Sequence, residues 1–114
     1  PITISGDGSQ YRNFIYVEDL ADAHVLAIDG KVKNEILNVE GMRRVPISEI
    51  AETIDRFIEK DIVIEYLDAR PGDYEGKEAS NDKIKRLLGW EPMVDFNEGM
   101  EKTIEWFKTN VLEE

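Results

Sequence analysis

Residues 2–28 read ITISGDGSQYRNFIYVEDLADAHVLAI, and within them the apolar period changes from that of a strand to that of a helix. Ile2 and Ile4 alternate with Thr3 and Ser5, a period-two strand that stops at Gly6-Asp7-Gly8. Phe14-Ile15-Tyr16-Val17 reads as a second strand after that turn. From Glu18 the period lengthens. Leu20, Ala23, Val25, Leu26, Ala27 and Ile28 fit one broad helical face, and Glu18 and Asp19 sit at the positive end of the helix dipole. The spacing predicts a helix of about ten residues that closes near Asp29-Gly30. Strand, glycine turn, strand and helix in succession give a mixed α/β fold, with Arg12 placed between the turn and the second strand.

The remainder follows the same grammar. Glu35-Ile36-Leu37-Asn38-Val39 reads as a third strand, and Ser48 as the N-cap of a helix carrying Ile50, Ala51, Ile54, Phe57 and Ile58 and ending at Lys60. Ile62-Val63-Ile64-Glu65-Tyr66 is a β-branched fourth strand. The stretch from Asp68 to Gly76 is a loop, because Pro71, Gly72 and Gly76 interrupt it. Ser80 or Asn81 caps a short helix with Ile84, Leu87 and Leu88 inward and Gly89 as its stop. A last helix starts near Asn97 and presents Met100, Ile104, Phe107 and Val111 as a core stripe. The order β-β-α-β-α-β-loop-α-α contains no internal repeat, so residues 1–114 are expected to form one unit around one core.

Bulk properties narrow the function. With 25 acidic against 14 basic residues the formal net charge is -11, a field that repels nucleic acid and anionic membranes. Any anionic ligand must be held by a local cluster of donors. Cysteine is absent, which excludes disulfides and thiolate chemistry and fits a cytoplasmic protein. The apolar runs are too short for a membrane span. The chain opens on Pro1 inside a strand pattern, so it is expected to be a piece of something longer.

Chemistry-bearing residues are few. There is a single histidine, His24, and no glycine-rich phosphate loop, Gly-Lys-Ser/Thr or nucleophile elbow, so neither a metal site nor dinucleotide or ATP binding by this chain alone is predicted. His24 reads as a helix-surface or helix-packing residue and Glu18-Asp19 as a helix N-terminal charge motif. Arg12 and Arg70 stand out by context. Arg12 follows a glycine turn, whereas Arg70 lies in Ala69-Arg70-Pro71-Gly72-Asp73, where proline restricts the preceding residue and glycine lets the chain turn. Two guanidinium groups converging on one pyrophosphate would outweigh the net charge locally; pairing of each with a neighbouring acid is the alternative.

Gly8-Ser9-Gln10-Tyr11-Arg12-Asn13-Phe14, the stretches NEILNVEG and VPISEIAETI, Arg70-Pro71-Gly72-Asp73 within IEYLDARPGDYEGKEASNDKIKRLLGWEP, and FNEGMEKTIEWFK occur in this order along the whole chain. In that order and spacing they resemble the C-terminal third of extended short-chain dehydrogenase/reductases that act on nucleotide sugars, closest to the UDP-glucose 4-epimerases and their dehydratase and decarboxylase relatives. The resemblance implies a small substrate-binding portion lacking the N-terminal Rossmann domain. It implies that Arg12 and Arg70 contact the nucleotide diphosphate, that Asp73 lies near the ribose, and that Asn38 lies close to the same cleft. It further implies NAD bound by the missing half and none by this chain, a UDP-sugar substrate with a dTDP-sugar as second choice, and a homodimeric parent. Asn13 and Ser5 depart from the family, which usually has aspartate and tyrosine there. None of Tyr11, Tyr16, Tyr66 and Tyr74 has lysine four residues later, so the catalytic Tyr-x-x-x-Lys pair of such enzymes is not in this chain and no catalytic residue is assigned. The rival expectation is a free-standing, non-catalytic binding or interaction module whose arginines make structural ion pairs.

Overall fold

The computed structural model describes residues 1–29 and 32–112. Its elements are β1 (Ile2–Ser5), β2 (Tyr11–Arg12), α1 (Val17–Ile28), β3 (Val45–Pro46), α2 (Ile47–Ile58), β4 (Ile64–Leu67), α3 (Asp82–Leu88) and α4 (Phe96–Asn110). β1 and β4 pair in parallel with Ile2 opposite Ile64 and Ser5 opposite Leu67. The ladder is extended by bonds from Ile2 N–H to the Val63 carbonyl and from Gly6 N–H to the Leu67 carbonyl, both 2.9 Å. β2 and β3 pair antiparallel through Tyr11 with Pro46 and Arg12 with Val45. The mixed α/β reading is correct.

Several local expectations need correction. Residues 14–16 form no ladder and Val17 opens α1, so the second strand is Tyr11–Arg12 instead of Phe14–Val17. Residues 35–39 form no strand either. Their β propensity needs a neighbouring strand to be expressed, and among the described residues side chains stand in for one. Asn81 accepts from the Glu40 N–H at 2.8 Å and donates to its carbonyl at 3.0 Å, while Lys83 Nζ donates to the Ile36 carbonyl at 3.0 Å.

Ser48 is not the cap of α2. The cap is Pro46, and the Ser48 N–H donates to the Gly8 carbonyl at 3.0 Å, tying the glycine turn to the helix start. α2 ends at Ile58 instead of Lys60 because Glu59 adopts a left-handed φ of 54°. The fourth strand is shifted to Ile64–Leu67. α3 is stopped by Gly89 at φ 67°, as its sequence predicts. α4 begins at Phe96 under an Asp95 cap that accepts from the Glu98 N–H at 2.9 Å. For α1, Asp29 is the C-terminal boundary residue, and Gly30 lies outside the described residues.

The core is much smaller than the apolar pattern predicts. Ala23, Ile84 and Trp90 form a buried cluster supported by Ile15, Leu37, Val39 and Leu88, and Ile4, Val45 and Ala51 are also buried. The broad apolar face of α1 is largely open, with Val25 66% and Ile28 82% exposed, and the α4 stripe is open at Phe107 and Val111. Ile36 is 88% exposed. The Cα radius of gyration is 16.8 Å, against about 13 Å for a compact domain of this length. The amphipathic faces are present, but what would cover them is not among the described residues.

A solution consequence follows. Residues 1–114 expressed alone should melt broadly, or at a temperature that depends on protein concentration, because exposed apolar faces either fray or self-associate. Differential scanning calorimetry at several concentrations checks this, and a sharp, concentration-independent, high-temperature monomeric transition would contradict it.

Candidate functional site

The glycine turn is built by its own side chains. Gly6 and Gly8 take φ values of 83° and 79°, and the Asp7 carboxylate accepts from the Ser9 N–H at 2.9 Å and the Ser9 hydroxyl at 2.6 Å. Those bonds hold the Asp7 carboxyl below the usual carboxylate range, the Ser9 hydroxyl contributing most. The turn delivers Tyr11 and Arg12 into β2.

The loop from Ala69 to Gly76 lies over this turn. Tyr11 N–H donates to the Glu75 carbonyl at 2.8 Å, and a Cβ built on Gly76 would stand 2.6 Å from the Tyr11 ring, so the loop seats only because residue 76 has no side chain. Within the loop Pro71 and Gly72, the latter at φ 85°, form the centre of a turn closed by Asp73 N–H to the Arg70 carbonyl at 3.2 Å. Proline before a left-handed glycine is the sequence signature of a type II turn, and the predicted bend of Arg70-Pro71-Gly72-Asp73 is correct.

Arg12 and Arg70 thus sit on one junction of turn and loop, in different states. Arg70 Nε donates to Asp73 Oδ2 at 3.1 Å, its side chain otherwise open to solvent. This bond, assisted by Gln10, lowers the Asp73 carboxyl below its ordinary range. Arg12 Nη1 donates to its neighbour's carbonyl, that of Tyr11, at 2.6 Å, and its guanidinium carbon lies 4.3 Å from the centroid of the Tyr74 ring. It has no carboxylate partner among the described residues, unlike Arg43 with Glu49, Arg44 with Glu78 and Arg70 with Asp73.

Asn38 is exposed, between Leu37 and Val39, which pack against the Ala23, Ile84 and Trp90 cluster, and three residues further on the Gly41 N–H donates to the Asn13 carbonyl at 3.4 Å. Asn13, the departure from the family beside Arg12, has its Oδ1 buried with no hydrogen-bond partner among the described residues. His24 is exposed on α1 with Nδ1 2.8 Å from the Leu20 carbonyl, the helix-surface role its position predicts.

Sequence reasoning missed Tyr74, Lys77 and Gly76. The available signal was an aromatic residue directly after Asp73 in a loop already singled out for its arginine. The helix N-terminal reading of Glu18-Asp19 is correct, both residues lying in the first turn of α1, but the tertiary role of Asp19 was not legible: it is 3% exposed, Oδ2 accepts from the Met93 and Val94 N–H groups at 3.1 and 3.0 Å, and its carbonyl accepts from Trp90 Nε1 at 2.9 Å.

Among the described residues no cluster of three His, Asp or Glu side chains is placed to hold a metal, and no helix is long and apolar enough to cross a membrane.

Comparison with known proteins is consistent across sequence and fold. The family model described as GDP-mannose 4,6 dehydratase matches residues 1–103. The UDP-glucuronate 4-epimerase of Thermodesulfobacterium geofontis is 36% identical over 112 residues, which are 97% of this chain and 34% of that protein. The structure of UDP-glucose 4-epimerase from Thermotoga maritima with UDP-glucose superposes with a TM-score of 0.89 at 31% identity, covering 96% of this chain and 35% of that one. UDP-glucuronic acid 4-epimerase from Bacillus cereus, in complex with UDP-glucuronic acid and NAD, gives a TM-score of 0.87 at 29% identity with the same coverages. The chain spans about a third of the length of the curated epimerases it matches, and 17% of a trifunctional relative from Arabidopsis thaliana.

Proposed function

The chain belongs to the GDP-mannose 4,6-dehydratase family of nucleotide-sugar epimerases and dehydratases, and from that premise we propose that it is the C-terminal substrate-binding part of a longer, NAD-dependent enzyme of this kind. In this reading Arg12 and Arg70 hold the diphosphate of a sugar nucleotide, a UDP-sugar before a dTDP-sugar, with Asp73 near the ribose and Asn38 toward the same cleft. The intact enzyme is a cytoplasmic homodimer whose Rossmann half covers the open faces of α1. The observation that carries the reading is the state of Arg12: one of its five N–H groups is spent on a backbone carbonyl, it has no acid partner among the described residues, and its plane is steadied by Tyr74. Arg56 and Arg86 likewise have no acid partner among the described residues, so what sets Arg12 apart is its place beside the glycine turn and against Tyr74, with N–H groups left open to an anion.

NAD does not fit these residues. The Gly6-Asp7-Gly8 turn leads into β2 and not into a helix N-terminus, and a Cβ on Gly8 would stand 3.0 Å from Ser48 Cβ, so no open cradle for a pyrophosphate remains there. The cofactor and the reaction are assigned to the rest of the enzyme. What these residues contribute is orientation: binding energy from the remote nucleotide fixes where the hexose lies. Residues 1–114 alone are accordingly inactive.

One observation favours the rival reading of a non-catalytic module with structural arginines, namely the Arg70–Asp73 ion pair. The two readings separate in calorimetric titrations of the full-length enzyme with UDP, dTDP and GDP beside the matching nucleosides. The binding reading expects a diphosphate-dependent affinity, highest for UDP. Failure of all three diphosphates to bind would overturn it.

A further inference from the structure

Two cations of this acidic chain share one aromatic ring. The Arg12 guanidinium carbon lies 4.3 Å and the Lys77 Nζ 5.7 Å from the Tyr74 centroid. Neither has a carboxylate partner among the described residues, and the acids nearest to Lys77 in sequence are directed to other arginines. Asp73 binds Arg70, Glu78 binds Arg44, and Glu75 adds its field to that of Glu78 at Arg44. The loop is held in register by the Tyr11 to Glu75 backbone bond and by the Gly76 seat on the Tyr11 ring, so Tyr74 is fixed relative to β2.

We propose that Lys77 is a phosphate-binding residue, forming with Arg12 a two-cation anion subsite on Tyr74, which is the positioning residue for both. This rests on the diphosphate reading of Arg12 and adds to it a cation that the sequence motifs do not contain. The ring attracts each cation by its electron-rich face while leaving N–H groups free, so an arriving phosphate meets two uncompensated donors within about 6 Å of one ring centroid. Arg12 supplies a planar fork with fixed directions; Lys77 supplies a mobile point charge that follows the phosphate.

The test measures dissociation constants of the full-length enzyme for UDP and for uridine. Lys77→Gln should weaken UDP about threefold to fivefold, the range for one exposed charge contact, and leave uridine unchanged. Tyr74→Leu should weaken UDP about tenfold and Tyr74→Phe should restore it, since phenylalanine keeps the ring face. The Arg12 Nε–H resonance should lose its ring-current shift in Tyr74→Leu and keep it in Tyr74→Phe. Wild-type UDP affinity in Lys77→Gln, or equal loss for UDP and uridine, overturns the role of Lys77; unchanged affinity in Tyr74→Leu overturns the role of Tyr74. Arg12→Ala separates the levels. If that variant binds UDP normally, the diphosphate reading itself fails, whereas failure at Lys77 or Tyr74 with a loss at Arg12 refutes only the subsite.

Discussion

Replacing Asp19 by alanine should lower the stability of the full-length protein by about 3 to 5 kcal/mol, the scale of a broken buried polar network. Its carboxylate is the acceptor for two consecutive backbone N–H groups, those of Met93 and Val94, and its own carbonyl holds the Trp90 indole. This one residue therefore ties α1 to the segment joining α3 and α4, beside the packing of Trp90 on Ala23. Alanine removes the acceptor, itself 3% exposed, without removing the donors, leaving the Met93 and Val94 N–H groups without their protein partner. Asp19→Asn retains one acceptor oxygen and should lose about half as much. Urea denaturation compares the three proteins. A loss below about 1 kcal/mol for Asp19→Ala, the value of an average hydrogen bond, would show that the junction rearranges and that Asp19 is not its tie.

Arg12→Ala should raise the dissociation constant for UDP about thirtyfold to a hundredfold and leave uridine within twofold of wild type, corresponding to about 2 to 3 kcal/mol of charge-assisted hydrogen bonding. The effect exceeds that expected at Lys77 because a guanidinium bonds a phosphate through two directed N–H groups, and because Arg70 is partly occupied by Asp73. Arg12→Lys restores the charge but not the fork, so an intermediate affinity is expected. Net charge sharpens the comparison: in a chain at -11, loss of a local cation exposes the ligand to repulsion that salt screens, and the gap between wild type and variant should narrow as ionic strength rises. Calorimetry at two salt concentrations measures both. An Arg12→Ala protein with wild-type UDP affinity would refute the assignment.

The parts of the fold that were legible in the sequence are those governed by local chemistry. The strand Ile2–Ser5, the left-handed stop at Gly89 and the bend at Pro71-Gly72 depend on residues within a few positions of one another. The site was legible at Arg12 and Arg70 through the motifs that carry them. Tyr74 and Lys77 were not, because their relation to Arg12 exists only once a loop more than sixty residues away folds over β2. Asp19 shows the same limit. Its place in the first turn of α1 follows from periodicity, but the amides it serves lie 74 and 75 positions along the chain.

By itself, the sequence determined the alternation of strands and helices, the amphipathic faces and the identity of two arginines in recognisable motifs. It also determined the absence of a dinucleotide loop and of a Tyr-x-x-x-Lys pair. Tertiary structure decided which faces are covered. The residues at 35–39 have strand character yet no ladder, and Val25 and Ile28 are apolar yet open, because strand pairing and burial are properties of neighbours and not of residues. It also decided which cations are spent. Arg43, Arg44 and Arg70 have acids within reach while Arg12 has only a backbone carbonyl and an aromatic ring, a difference that no spacing in the chain encodes.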